Sequence, residues 1–247
     1  MSDDKTVQYQ RFNLTFRIQH IILFVSFLLL AFTGWALKYP EPSLQHMPWW
    51  IKLWGGAKSA GIIHRIAGVA MVADFVWHVL YLLYYLGTGK MKIDPATTII
   101  PMPKDVTDVV QNFLYFLGLS KEKPRFRRYT YLQKFDYWAV FWGMGIIGFS
   151  GLCLAFPTKF QYLFPNWSID WIWELMGVLH SDEALLAIVF ILLIHFYNEH
   201  LKWDKFPMSM LWITGKMTVE ELKHEHPLEY EHVMKENPEL LKNPERS

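Results

Sequence analysis

Five of the ten histidines lie in or beside long apolar stretches: His20, His64, His78, His180 and His195. Neutral imidazole is a good axial ligand for heme iron. Two histidines on one iron leave no open position for oxygen or substrate, which suits electron transfer. The spacing supports that chemistry. His64 and His78 are fourteen residues apart inside Ile62–Leu86. On an α-helix that is about four turns, roughly 40° short of registration, with a rise of ~21 Å. Two such histidines share a face and stand near opposite leaflets of a hydrocarbon core ~30 Å thick. His180 and His195 bracket a second stretch, and their fifteen-residue separation overshoots by ~60° on an ideal helix. A modest kink or a π-bulge corrects that offset. A lone histidine on an apolar helix is most often a satisfied core residue; five of them in two layers favour stacked b-type hemes, two expected and a third allowed.

Asp74 lies one turn before His78 on the same face. A carboxylate inside a membrane must pair or exchange protons. Asp74 is therefore the candidate to accept or relay the protons of a quinol. The plainer alternative is a hydrogen bond to a neighbouring hydroxyl, histidine or heme propionate. Asp182 and Glu183, just after His180, read as solvated or helix-start carboxylates. Arg17, Arg65 and Lys134 stand at apolar edges, where they either pair with propionates or snorkel. His46, His200, His224, His226 and His232 show no metal-ligand spacing. Of these, His200 either lines an inner-side quinone pocket or is an interfacial residue, and the second is expected. Glycines at 34, 68, 143, 145, 148 and 151 admit either a flat macrocycle or close helix packing.

Membrane helices are the elements that must hold these residues. Four apolar runs are long enough to span: Gln19–Leu37, Ile62–Leu86, Tyr137–Phe156 and Glu183–Tyr197, the last with its flanks Val178–His180 and Asn198–Leu201. The first run carries His20 near its start and no small-residue cleavage site before Lys38, so it is expected to remain rather than to be cleaved as a signal. Aromatic residues are 17% of the chain and gather at the run ends, among them Trp35, Tyr39, Trp49, Trp50, Tyr84, Tyr85, Tyr137, Trp138 and Trp203. Membrane–water interfaces favour that placement. Lysine and arginine crowd the N-terminal tail, the segment between the second and third runs, and the C-terminal tail. The other two loops are poor in them. The positive-inside rule puts both termini and the middle loop in the cytoplasm. His64 and His180 then lie in an outer layer, and His195 in an inner layer with His20 or His78.

The expected fold is all-α: an integral membrane four-helix bundle over residues 1–216 and a charged cytoplasmic tail over 217–247. The bundle is placed in a bacterial or archaeal cytoplasmic membrane. The stretch Pro101–Leu119 predicts an amphipathic helix on the inner membrane surface, with Val106, Val109, Val110, Phe113, Leu114 and Leu117 on one side. The tail from Thr218, with prolines at 227, 238 and 244, predicts a short helix followed by loosely ordered peptide. Net charge is +1, which argues for no nucleic-acid partner. The single cysteine, Cys153, excludes an internal disulfide, covalent c-type heme attachment and a cysteine-ligated iron–sulfur cluster. Any heme is held non-covalently, and any iron–sulfur centre belongs to a partner. A histidine-lined ion or proton transporter is the alternative; few other intramembrane carboxylates and no pair of broken helices speak for it.

In order and spacing, several motifs resemble one family. They are Arg17-Ile18-Gln19-His20, Thr33-Gly34, Ile63-His64-Arg65-Ile66-Ala67-Gly68, the stretch from Tyr129 to Trp138, Ser150-Gly151, His180, His195-Phe196-Tyr197, and the tail from Gly215-Lys216 to His226-Pro227-Leu228-Glu229-Tyr230. The chain resembles the cytochrome b (gamma) subunits of membrane-bound formate dehydrogenases, and their relatives in nickel–iron hydrogenases and thiosulfate reductases. The resemblance implies four helices holding two b-type hemes. It implies ligation of the outer heme by His64 and His180 and of the inner heme by His20 and His195, with menaquinone or ubiquinone reacting near the inner heme. It also implies an iron–sulfur or multiheme cytochrome subunit as electron-transfer partner. The chain would serve as the electron-transfer subunit of a quinone-linked oxidoreductase. Two features depart from the pattern. His78 is extra, and would replace His20, bind quinone or help hold a third heme. The fifteen-residue spacing from His180 to His195 exceeds the fourteen expected.

Overall fold

The computed structural model describes residues 7–38, 49–90, 93–167, 170–202 and 207–241. Lys5, Tyr39, Pro40, His46, Lys92, Trp203, Lys205, Lys242, Pro244 and Arg246 lie outside the described residues, as does the side chain of Trp50. Four helices are long and apolar enough to cross a membrane: Leu14–Lys38, Ala57–Gly87, Tyr131–Ala155 and Asp170–His200. Each is longer than its apolar run, because the helix continues into polar flanks that hydropathy leaves out. The third span, for example, starts at Tyr131 and carries buried Lys134 and Asp136 in its first turns. The fourth span is α-helical over Asp170–Phe190 and π-helical over Ile191–His200. A π segment lies just where the fifteen-residue histidine spacing called for one.

The chain divides into two compact units. One holds Ile18–Tyr84 and Val140–Phe206, with the bulk of the four spans. Its interior is rich in small and polar side chains, with a few large apolar ones such as Ile51, Met144 and Met176. The first span buries Gln19, Ser26, Thr33 and Ala36, the first three at seven-residue intervals on one face. The second buries Ala60, Ala67, Met71 and Asp74, and the third buries Ser150 and Cys153. Large apolar residues such as Val25, Phe32, Ile66, Leu80, Trp142 and Leu186 are exposed. That inversion is what lipid demands: an apolar solvent gives no reason to hide leucine, while small residues let helices approach closely. Ser26, Thr33 and Ser150 donate their hydroxyls to the carbonyls four residues before them, at 2.7, 2.5 and 2.7 Å, so no hydroxyl proton is stranded in hydrocarbon.

The other unit joins Met1–Arg17, Tyr85–Ala139 and Pro207–Ser247. Its centre is a two-stranded antiparallel ribbon, Gln8–Gln10 paired with Lys216–Thr218. Gly215 enters the second strand at φ +71°, and its carbonyl accepts from the Arg11 and Phe12 amides at 2.8 and 3.1 Å. A Cβ there would run into the Phe12 carbonyl, so only glycine fits. Thr218 and Glu221 form a capping box that starts the helix Val219–Glu225. Pro227 opens the next helix, Pro227–Glu236. Tyr9, Met217, Val219, Leu222, Val233 and Leu241 form the apolar core of this unit. The expected loose tail is therefore corrected through Leu241: two helices and a 3-10 turn fold back onto the N-terminal strand. The amphipathic segment is a helix over Pro103–Phe116, shorter than Pro101–Leu119. Lys104, Asp105, Asp108, Gln111 and Asn112 bond to protein partners, whereas Val106, Val109, Val110, Phe113 and Phe116 are exposed.

Candidate metal-ligating site

Span two positions His64 and span four positions His180, with ring centres 6.1 Å apart and planes at 79°. Each ring is held through Nδ1. Thr33 Oγ1 stands 2.9 Å from His64 Nδ1. The Thr33 hydroxyl proton already goes to the Leu29 carbonyl, so the oxygen accepts and His64 Nδ1 carries the hydrogen. His180 Nδ1 lies 3.1 Å from the Ile147 carbonyl and 3.3 Å from Ser150 Oγ. A carbonyl only accepts, so His180 Nδ1 is protonated as well. Both imidazoles are fixed in the tautomer whose Nε2 lone pair is available to a metal.

A hydroxyl–glycine pair supplies each support. Thr33-Gly34 serves His64 and Ser150-Gly151 serves His180. A Cβ on Gly151 would lie 2.8 Å from His180 Cε1, and one on Gly34 would lie 3.3 Å from His64 Cε1. These two glycines make room for the imidazoles themselves, a role distinct from macrocycle approach or helix packing. The recurrence of a hydroxyl residue before glycine, late in spans one and three, was the available signal for it.

Span one places His20 beside the fourth span's His195, with ring centres 6.3 Å apart. His200 joins them at 6.0 Å from His20 and 5.6 Å from His195. Ligand atoms of the three lie within 4.8 Å of one another. His200, the last residue of the fourth span, is buried against protein. His78 is not one of these three: its Nδ1 lies 3.1 Å from Gln19 Oε1 and carries the hydrogen, since an amide oxygen accepts. Asp74 is buried, and its Oδ1 has no hydrogen-bond partner among the described residues.

Arg17, Lys134 and Asp182 at the run edges find protein partners. Arg17 donates to the Ile213 carbonyl at 2.7 Å. Lys134 pairs with Asp105 at 2.8 Å and donates to the Ile100 carbonyl at 3.2 Å. Asp182 pairs with Lys38 at 3.5 Å in an exposed setting, as a solvated carboxylate does.

The residues fit a metal held between two imidazoles. Two imidazoles that each bonded one metal through a nitrogen at about 2 Å could stand with ring centres roughly 6 Å apart. Both the His64–His180 pair and the His20–His195 pair match that span. Along span four the pairs are separated by fifteen residues, about 20 Å. Apolar spans carrying two such histidine groups define a membrane cytochrome of the b type. The family described as prokaryotic cytochrome b561 matches residues 11–199, and the chain belongs to that family. It is an integral membrane electron-transfer protein. It is also similar to the formate dehydrogenase cytochrome b556(fdo) subunit of Escherichia coli strain K12 and of Escherichia coli O157:H7. The identity is 26% over 225 residues in each, covering 91% of this chain and 93% of the relative.

Proposed function

We propose that this chain holds two b-type hemes, one between His64 and His180 and one between His20 and His195, and carries electrons between a partner's redox centre and the quinone pool. Heme supplies a one-electron couple that the protein itself lacks. The observation that carries this reading is the paired geometry: two histidine pairs with ring centres 6.1 and 6.3 Å apart, on shared membrane helices. The partner is an oxidoreductase complex, by likeness to the formate dehydrogenase cytochrome subunits; that it brings an iron–sulfur or multiheme cytochrome subunit rests on the motif resemblance alone. Both termini face the cytoplasm of a bacterial or archaeal cell, by the distribution of lysine and arginine. In that orientation the His20 layer is the inner one and meets the quinone. The helix Pro103–Phe116 lies on the inner membrane surface, its exposed valines and phenylalanines in the acyl boundary.

The residues divide the work. Thr33, Ser150 and the Ile147 carbonyl hold the outer imidazoles in their ligating tautomer and raise their basicity. Asp74 takes up and passes on quinol protons, because a carboxylate inside a membrane must pair or exchange protons and its Oδ1 has no hydrogen-bond partner among the described residues. His78, tied to Gln19, lies one turn from Asp74 and extends that path.

Pyridine hemochrome on the detergent-purified protein is expected to give two b hemes per chain, and His64→Ala one. Two hemes surviving in His64→Ala would refute the ligand assignment. Asp74→Asn is expected to slow quinol oxidation at least 10-fold with both hemes bound; loss of a heme instead would make Asp74 a structural residue.

A further inference from the structure

We infer that His200 is a third ligand-capable histidine at the inner site, able to replace His195 opposite His20. The inference rests on the two-heme reading and goes beyond it, because a bis-histidine centre needs only two of the three. In an α-helix a residue five positions on points about 140° away, so His195 and His200 would face different neighbours. The π winding of Ile191–His200 changes that. It closes hydrogen bonds at i→i+5, which brings residues five apart close to one face. At the segment's end the Leu201 amide donates to the Phe196 carbonyl, five residues back, and to the Tyr197 carbonyl, both at 3.2 Å.

The consequence is near-equivalence. The His200 ring centre is 6.0 Å from His20 and the His195 ring centre is 6.3 Å from it. Neither distance excludes a shared metal, and the ligand atoms of all three converge within 4.8 Å. His200 is also anchored. Its ring packs 5.2 Å from Phe196, which in turn stacks on Phe24 of span one at 6.4 Å and 9°. A histidine left at a membrane edge would snorkel to water; this one is held inward, 6% exposed. A π segment at a functional site is the usual setting for such a rearranged face.

The test uses the full-length protein in detergent, with His195→Ala, His200→Ala and the double variant. Heme per chain is read by hemochrome and ligation by the low-spin EPR signal. The outer heme on His64 and His180 serves as an internal control of folding. Each single variant is expected to keep two low-spin hemes, with His195→Ala shifting the inner heme's EPR signal, and the double variant is expected to keep one. Loss of the inner heme in His195→Ala alone, or its conversion there to a high-spin form, would overturn the inference while leaving the two-heme reading intact. Loss in His200→Ala alone would overturn interchange as well. Fewer than two hemes in the unaltered protein would instead overturn the underlying reading.

Discussion

At the scale of single residues, the outer histidines owe their chemistry to their neighbours. An imidazole in hydrocarbon can adopt either tautomer; Thr33 and the Ile147 carbonyl each select the one that leaves the Nε2 lone pair available. Clearance matters as much as hydrogen bonding. A methyl group on Gly151 would approach His180 Cε1 to 2.8 Å, inside any real contact, whereas on Gly34 it would approach His64 Cε1 to 3.3 Å, which a small shift relieves. Gly151→Ala is therefore expected to lower outer-heme occupancy by about 10-fold or more, on the scale seen when metal-ligand support is lost. Gly34→Ala is expected to keep that heme. Titrating apoprotein with hemin would check both, and equal behaviour of the two variants would rule out steric support of the ligands. The roles of these glycines could not be read from composition, because glycine between membrane helices serves packing equally well.

Among the elements, the fourth span is the one whose winding decides a site. The fifteen-residue separation of His180 and His195 was legible as a mismatch of ~60°, with a kink or a π-bulge as the expected remedies, and the structure has a π segment. The approach of His200 to the same site was not legible, since it depends on how many residues take the π winding. Deleting Leu193 restores the fourteen-residue spacing and lets i→i+4 bonding return. That variant is expected to keep two hemes on the four named ligands. In its background His195→Ala is expected to lose the inner heme, because an α-helical turn carries residue 200 off the shared face. Retention of that heme would show that the π winding is not what brings His200 in. The interfacial helix tells a complementary story. Its polar side is bound to protein through Lys104, Asp105 and Asp108, and its apolar side is left exposed, as expected of a helix lying on lipid.

On the scale of the whole molecule, the unit built around the Gln8–Gln10 ribbon is held by charge as well as by its apolar core. Glu229 is fully buried and receives Arg11 at 3.3 Å and Arg128 at 2.7 Å. The two arginines also exchange hydrogen bonds with each other's carbonyls, and the His226 Nδ1 hydrogen goes to the Arg127 carbonyl at 2.7 Å. Beside them, burial pushes the Tyr9 phenol above its ordinary pKa even against the charge of Arg128. Removing the acid would leave a buried Arg11 and a largely buried Arg128 uncompensated. Such a loss costs about 3–5 kcal/mol. Glu229→Ala is thus expected to open this unit, read as faster limited proteolysis near residues 216–241, with two hemes still bound in the spans. Unchanged proteolysis would remove the ion network from the stability argument.

The order of apolar runs, the two layers of histidines and the membrane class were determined by the sequence alone. All three follow from local periodicity, from the length of chain a bilayer requires and from the distribution of lysine and arginine, and none depends on which helices meet. Tertiary structure decided the partners. It brought His20 beside His195, and it set His78 against Gln19. It also gathered His200 into the inner group and folded the tail onto Gln8–Gln10, more than two hundred residues away. Each of these depends on contacts between segments far apart in the chain, or on a departure from α-helical winding. Neither leaves a periodic trace in the residues themselves.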